Sequence, residues 1–291
     1  MKLMAAHSPF RNDSLCDDTD RMRLAGSRSL NKLAAMYSPT FHLFLWPHRL
    51  LFLGPAFDAQ PHRHHAAQLA LGLHDRLRVR GGQDQSWQEA AAFYVPPDVP
   101  HEFDAGDTPC ALLYLDPEGR ECEDACHRFG GGRIRLLDNH ELPLATLQRL
   151  ASGDGNPPDA EQACRELLGQ GVSTLRRNLD PRLQRALTWL DEHLADELGN
   201  RAVAHAAGVS ESWLSHHFGD RVGVPIRRYV LWRRLRLAIE AALGGASLTD
   251  AAHAAGFSDS AHLTRTFRDT FGVAPSFLFG DRQAIRAHFI S

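Results

Sequence analysis

Side chains able to bind a metal ion are concentrated in Pro61-His62-Arg63-His64-His65, followed by Gln68 and later by His101. On an extended strand His62 and His64 point to one face, and a hairpin would bring His101 beside them. Three imidazoles alone can hold zinc with an open fourth position, and imidazole also suits iron and nickel, so a divalent metal is one expected occupant. Gln68 offers a neutral amide where a carboxylate would bind a cation more tightly. In the other reading the histidines are hydrogen-bonding groups that line a pocket and need no ion. Trp87, Tyr94, Phe103 and Tyr114 complete the expected effector pocket of His62, His64, Gln68 and His101, an apolar cavity with a few polar groups.

A second chemistry is written twice near the C-terminus, as Gly208-Val209-Ser210-Glu211-Ser212-Trp213-Leu214-Ser215-His216-His217-Phe218 and as Gly256-Phe257-Ser258-Asp259-Ser260-Ala261-His262-Leu263-Thr264-Arg265-Thr266-Phe267. Leu214 and Leu263 lie about 49 residues apart, as do Phe218 and Phe267, and Gly223 and Gly272, so a whole supersecondary unit is repeated. Each copy reads as helix-turn-helix. A short Ala-rich helix, Arg201 to Ala207 or Leu248 to Ala255, is followed by a glycine for the left-handed turn. Ser210, or Ser258 or Asp259, then caps the next helix. Leu214 with Phe218, and Leu263 with Phe267 and Phe271, face inward at i, i+4 spacing. The outer faces carry Glu211, Ser212, Ser215 and His216 in the first copy and Ser260, Ala261, His262, Arg265 and Arg268 in the second. Such helices enter the major groove of double-stranded DNA, where Arg265 can bind guanine bidentately and Glu211 would favour cytosine. The first copy has no Arg, Lys or Gln on that face, which suits it to positioning more than discrimination.

The elements that must position these groups fall into blocks. Residues 1–38 carry no clear period and read as disordered. Residues 39–117 hold short apolar runs (Phe41 to Trp46, Leu50 to Leu53, Gln68 to Leu73, Leu77 to Arg80, Ala92 to Val95, Ala111 to Leu115) between Gly, Pro and Asp, the texture of a β-barrel or sandwich. Residues 118–179 turn helical around Glu121 to Phe129, Leu142 to Ser152 and Asp159 to Asn178, a region expected to dimerise the protein. Asp180-Pro181 then opens an all-α domain over 180–282. Within it a helix from Pro225 to Leu243, with Arg227, Arg228, Arg233, Arg234 and Arg236, joins the two units and could hold them about one DNA turn, roughly 34 Å, apart. Its arginines would contact phosphate or keep the helix soluble. The fold class is α+β.

Composition narrows the function classes. The net charge is −3, but 13 Arg face 11 acids from Pro181 onward, leaving the N-terminal part negative. That asymmetry suits a nucleic-acid-facing C-terminus. There is no apolar run of membrane length and no export signal, so the cytoplasm is the expected location, without membrane contact. The five cysteines are expected to be free thiols; Cys122 and Cys126, at i, i+4 beside His127, read as incidental. With no Gly-rich phosphate loop, nucleophile elbow or paired-carboxylate motif, catalysis has little support outside the histidines.

Gly256-Phe257, Phe267, Gly272 and Pro275, together with the duplicated units and their joining helix, resemble the AraC/XylS family of bacterial transcription regulators over roughly residues 181 to 280. The resemblance implies promoter binding and contact with RNA polymerase. His62, His64, Gln68 and His101 are similar to the two cupin motifs, in which His-x-His, a Glu four residues on and a later His surround a metal. Here Gln68 replaces that Glu, and Asp98 stands where Gly is usual. A cupin-like barrel is also the usual sensor of arabinose-type regulators, so the two resemblances together imply a homodimeric regulator sensing a small molecule or metal. A cupin metalloenzyme, dioxygenase-like and fused to a DNA-binding domain, is the alternative they leave open.

Overall fold

In the computed structural model the described residues are 41–290, except 83–84, 131, 139–140, 170–178 and 197. The segment expected to be loose at 1–38, and the end of the helix expected to reach Asn178, lie outside them.

The apolar runs become strands β1 (Phe41–Trp46), β2 (Arg49–Gly54), β4 (Ala67–Gly72), β5 (Leu77–Arg80), β7 (Ala92–Val95) and β9 (Cys110–Leu115). Three further strands, β3 (Asp58–His62), β6 (Gln88–Ala90) and β8 (His101–Asp104), are shorter and more polar. One sheet has the order β3-β8-β5-β6. The other has seven strands, with β7, β4, β9, β2 and β1 at its centre, β10 (Arg135–Leu136) on one edge and β11 (Ile285–Phe289) on the other.

Successive side chains on a strand face opposite ways, and both faces of the larger sheet are covered. Leu43, Phe52, Phe93, Val95, Leu112 and Tyr114 look toward the smaller sheet, where Leu77, Val79 and Phe103 meet them. Phe44, Leu51, Leu69, Tyr94 and Leu113 look the other way, under helices α1 (Arg120–Phe129), α2 (Leu144–Ala151) and α3 (Pro157–Leu168). The last begins with a capping box between Asn156 and Asp159, followed by proline at its first position. Arg49, buried on this side, is paired with both Glu121 and Glu161.

The C-terminal helices are α4 (Pro181–Glu192), α5 (Asn200–Ala207), α6 (Glu211–Val222), α7 (Ile226–Leu243), α8 (Leu248–Ala254), α9 (Ser260–Phe271) and α10 (Pro275–Phe279). The turn chemistry is as the spacing predicts: Gly208 is left-handed at φ 71°, Ser210 accepts from the Trp213 amide, and Asp259 rather than Ser258 caps α9 through the His262 amide. The fold is α+β, with the sheets built mainly from the N-terminal part and most helices following them.

The two repeated units are packed differently. Leu183, Leu190, Val203, Leu214, Phe218 and Tyr229 make a core belonging to the first unit. In the second unit Leu235, Phe257, Leu263 and Phe267 join the apolar cluster inside the barrel. Residues Thr40–Ser291 form one compact unit, so the joints expected near 117 and 179 lie inside it.

Two features depart from expectation. Arg228, Arg233, Arg234 and Arg236 are engaged by protein and not offered to phosphate. Arg228 reaches Asp98 at 2.5 Å and Arg233 reaches Asp191 at 3.1 Å. Arg234 donates to the Leu194 carbonyl at 2.7 Å and Arg236 to Asp116 at 2.9 Å. For Arg236 and Arg233 the physical reason lies at Asp116, a fully buried carboxylate that also accepts from the Trp232 indole at 2.9 Å and requires cationic partners. Beyond the expected end at 282, β11 pairs in parallel with β1, placing Ile285 opposite Phe41 and Phe289 opposite Leu45.

Candidate metal centre and nucleic-acid interface

Cross-strand pairing between β3 and β8 sets His62 directly opposite His101, with a register shift between Ala59 and His62. His64 lies past the end of β3, in the turn toward β4, so the chain's bend and not strand alternation completes the set. The ligand atoms of His62, His64 and His101 all lie within 4.8 Å of one another, and all three residues are buried.

Each ring is held by the same device. The Nδ1–H of His62 donates to the Gln60 carbonyl at 2.7 Å, that of His64 to Ala66 at 2.7 Å and that of His101 to Val99 at 3.0 Å. A carbonyl can only accept, so Nδ1 carries the proton and Nε2 keeps its lone pair in all three. Fixing the tautomer through the second ring nitrogen is how metal-ligating histidines are oriented. Burial pushes the His62 pKa down to about 3, with His64 adding to the shift. Burial also lowers His64, and holds His101 well below its ordinary value with help from His62 and His64. Neutral imidazole is the ligating form.

Gln68, on β4, faces the triad. Its carboxamide lies 2.9 Å from the Nε2 atoms of both His64 and His101 and 3.5 Å from the Tyr114 hydroxyl. By a half-turn that group presents either NH2 donors to the imidazoles or its oxygen to a cation. His62 Nε2 is buried without a hydrogen-bond partner among the described residues. An orphaned, neutral, inward-facing donor atom fits a cation and is costly otherwise. The donor set therefore suits a divalent metal.

The remaining pocket residues separate. Tyr114 belongs to the site, its ring 5.2 Å from that of His64. Phe103 is inside the barrel but packs on Phe57 and Phe93. The expectation that Tyr94 lines the pocket is corrected: it points through the opposite face of the sheet, against Phe129, its hydroxyl 3.1 Å from Cys126 Sγ. Trp87 is corrected as well. It is exposed on the rim, with the Arg78 and Arg80 guanidinium groups 5.5 and 4.6 Å from its ring. Beside Tyr114 the interior leaves a cavity of about 60 Å³, walled by Phe52 and Phe57 from the barrel and Phe267, Phe271 and Phe277 from the second unit. That is well below the roughly 300 Å³ of an ordinary small-molecule pocket.

Asp98, where cupins usually carry Gly, has φ 64°. Aspartate tolerates this left-handed conformation better than most residues. Its carboxylate meets His65 at 2.7 Å and Arg228 at 2.5 Å, tying the loop before β8 to the linker helix. Residue spacing alone does not reveal this tie; an aspartate at a position where Gly is usual is its one signal in the sequence. A second group of potential ligands, His48, Asp116 and Glu118, lies near the same helix. There Arg236 and Arg233, 2.9 and 3.7 Å from Asp116, already supply positive charge and oppose a cation.

On α6 the side chains Glu211, Ser212, Ser215 and His216 are exposed, with His216 3.6 Å from Asp220. On α9 Ala261, Arg265 and Arg268 are exposed, whereas Ser260 and His262 are half-buried. His262 sits 3.2 Å from the Ser258 hydroxyl and edge-on to Phe257. The first unit thus turns all four of its expected reading residues outward and the second turns out Ala261, Arg265 and Arg268, while Leu214, Phe218, Leu263 and Phe267 face inward.

A family model described as a helix-turn-helix domain matches residues 203–280. The chain is 28% identical over 254 residues to the HTH-type transcriptional activator RhaS of Escherichia coli, covering 76% of this chain and 87% of the relative. Among solved structures it resembles apo ToxT from Vibrio cholerae, with a TM-score of 0.55 at 10% identity over 80% of this chain and 97% of that one. A second ToxT structure gives 0.51 at 11% identity, over 84% and 96%. At those identities the structural likeness speaks for the fold: a sheet-rich N-terminal part followed by paired helix-turn-helix units. Taken together, residues 203–280 carry a helix-turn-helix domain, and the chain is similar over three quarters of its length to a transcriptional activator of that type, in line with the resemblance to AraC/XylS regulators.

Proposed function

We propose that this regulator reads promoter DNA chiefly through Arg265 and Arg268 of its second unit and is controlled by a divalent metal ion held by His62, His64 and His101. The orphaned His62 Nε2 carries the metal reading: it is buried and neutral, and it faces two further imidazoles with fixed tautomers. Gln68 would supply a fourth, neutral oxygen, and Tyr114 would orient it. Zinc, iron and nickel all suit imidazole ligands. In this reading the protein acts as a cytoplasmic homodimer, meets RNA polymerase at the promoter and performs no catalysis of its own.

Two measurements test it. Purified protein should prefer a labelled fragment of its own upstream region over random DNA at moderate salt, and equal binding to both sinks the promoter assignment. Metal analysis should find one ion per chain that is lost in His62→Ala and His101→Ala. A metal-free protein whose content does not respond to added zinc, iron or nickel removes the metal.

A further inference from the structure

We infer that strand β3 couples the histidine triad to the second reader, so that a divalent cation in the triad fixes the C-terminal end of the recognition helix Ser260–Phe271 against the barrel. This rests on the metal reading above. β3 is the edge strand of its sheet and pairs on one side only, with β8. An edge strand presents unpaired backbone groups, and a helix C-terminus presents unpaired carbonyls. Here each meets the other's need: the Gln60 amide donates to the Gly272 carbonyl at 3.1 Å and the Arg63 amide to the Asp269 carbonyl at 3.4 Å.

Those two amides bracket His62, and the Gln60 carbonyl is the group that fixes the His62 tautomer. The approach is close enough that a Cβ on Gly272 would lie 2.6 Å from the Gln60 oxygen and 2.8 Å from His62 Nδ1. Gly272 is also left-handed, at φ 72°. A movement of β3 that closes three imidazoles on an ion therefore cannot leave the helix end where it was. A second contact runs parallel to this one. The Asp98 amide donates to the His64 carbonyl at 2.9 Å, and the Asp98 carboxylate holds Arg228 at the start of the linker helix. At the turn of the first unit the backbone bonds, such as Val209 N–H to the Ala204 carbonyl at 3.0 Å, are made within the unit itself.

Residue-resolved amide exchange on the full chain, with zinc chloride as the probe, tests this. Saturating zinc should slow exchange at Gln60 and Arg63 by about fivefold or more, leaving Val209 unchanged. Because coupling is reciprocal, Phe277→Ala should weaken zinc binding by a similar factor. That side chain packs the second unit onto Phe41 and Phe57 of the barrel. Zinc that binds the triad without altering exchange at Gln60 and Arg63 overturns the coupling and leaves the metal site standing. Failure to detect any zinc binding that His101→Ala abolishes overturns both. Should Phe277→Ala not fold, the exchange measurement on the unaltered protein decides alone.

Discussion

The two helix-turn-helix units are copies in sequence and opposites in attachment. The first encloses Leu214 and Phe218 in a core drawn from α4 to α7. The second gives Leu263 and Phe267 to the barrel's own core and hands the end of its recognition helix to the edge strand that carries His62. Their outer faces differ in the same direction, with Glu211 and His216 on the first and Arg265 and Arg268 on the second. The unit that carries Arg265 and Arg268, the proposed base contacts, is therefore the one packed onto the sheets that hold the candidate sensor. On the proposed function, packing would decide which of the two copies a signal can reach.

The largest effect should come from breaking the two cores separately. Phe267→Ala and Phe218→Ala should each cost about 3–5 kcal/mol, the usual range for truncating a buried phenylalanine. Monitored by circular dichroism and exchange, the Phe267 variant should loosen barrel and second unit together, whereas the Phe218 variant should loosen the first unit alone. Equal damage to the barrel from both variants would break the comparison.

The joint between units offers the next test. Glu118 is fully buried, and burial, with Asp116 nearby, raises its pKa from the ordinary 4.5 to about 7. A carboxyl with a raised folded pKa contributes stability that is whole below its unfolded pKa and lost as pH rises through the folded one. Stability should therefore fall by about 3 kcal/mol between pH 4.5 and values above 7, and Glu118→Gln should flatten that slope in thermal melts across pH. A variant with the same slope as the parent would remove Glu118 from the account.

Smaller again is the difference in readout. Arg265→Ala should weaken specific DNA binding by about 1–3 kcal/mol and relax preference at one base pair, as expected for a guanine contact. Glu211→Ala should change it by less than about 1 kcal/mol. Reversed magnitudes in a binding-site selection would assign discrimination to the first unit.

Much of this was legible in the residues. The repeat, its glycine turns and its caps follow from local chemistry, and six of the strands follow from apolar runs. The histidine set was visible through spacing, although the convergence of His62 with His64 depends on a bend that spacing does not encode. Tyr94 was misplaced because Ala92, Phe93, Tyr94 and Val95 are all apolar enough to be buried. On a strand covered on both faces, period two cannot say which side is which. Strand β11, Ile285–Phe289, carries Arg286 and His288 and gains its identity only from a partner at the other end of the described chain, a non-local pairing no window reveals. The linker arginines failed for a related reason. Their type announces a need for acids, and only the fold shows that Asp98, Asp116 and Asp191 meet it.

The unequal attachment of the two readers is tested most directly by native-state hydrogen exchange across the whole chain without added metal. Amides within Ser260–Phe271 should open with the same free energy as those of the barrel strands β2 and β9, while amides within Glu211–Val222 open separately and more easily. The opposite grouping, with both recognition helices opening as one unit apart from the barrel, would contradict it.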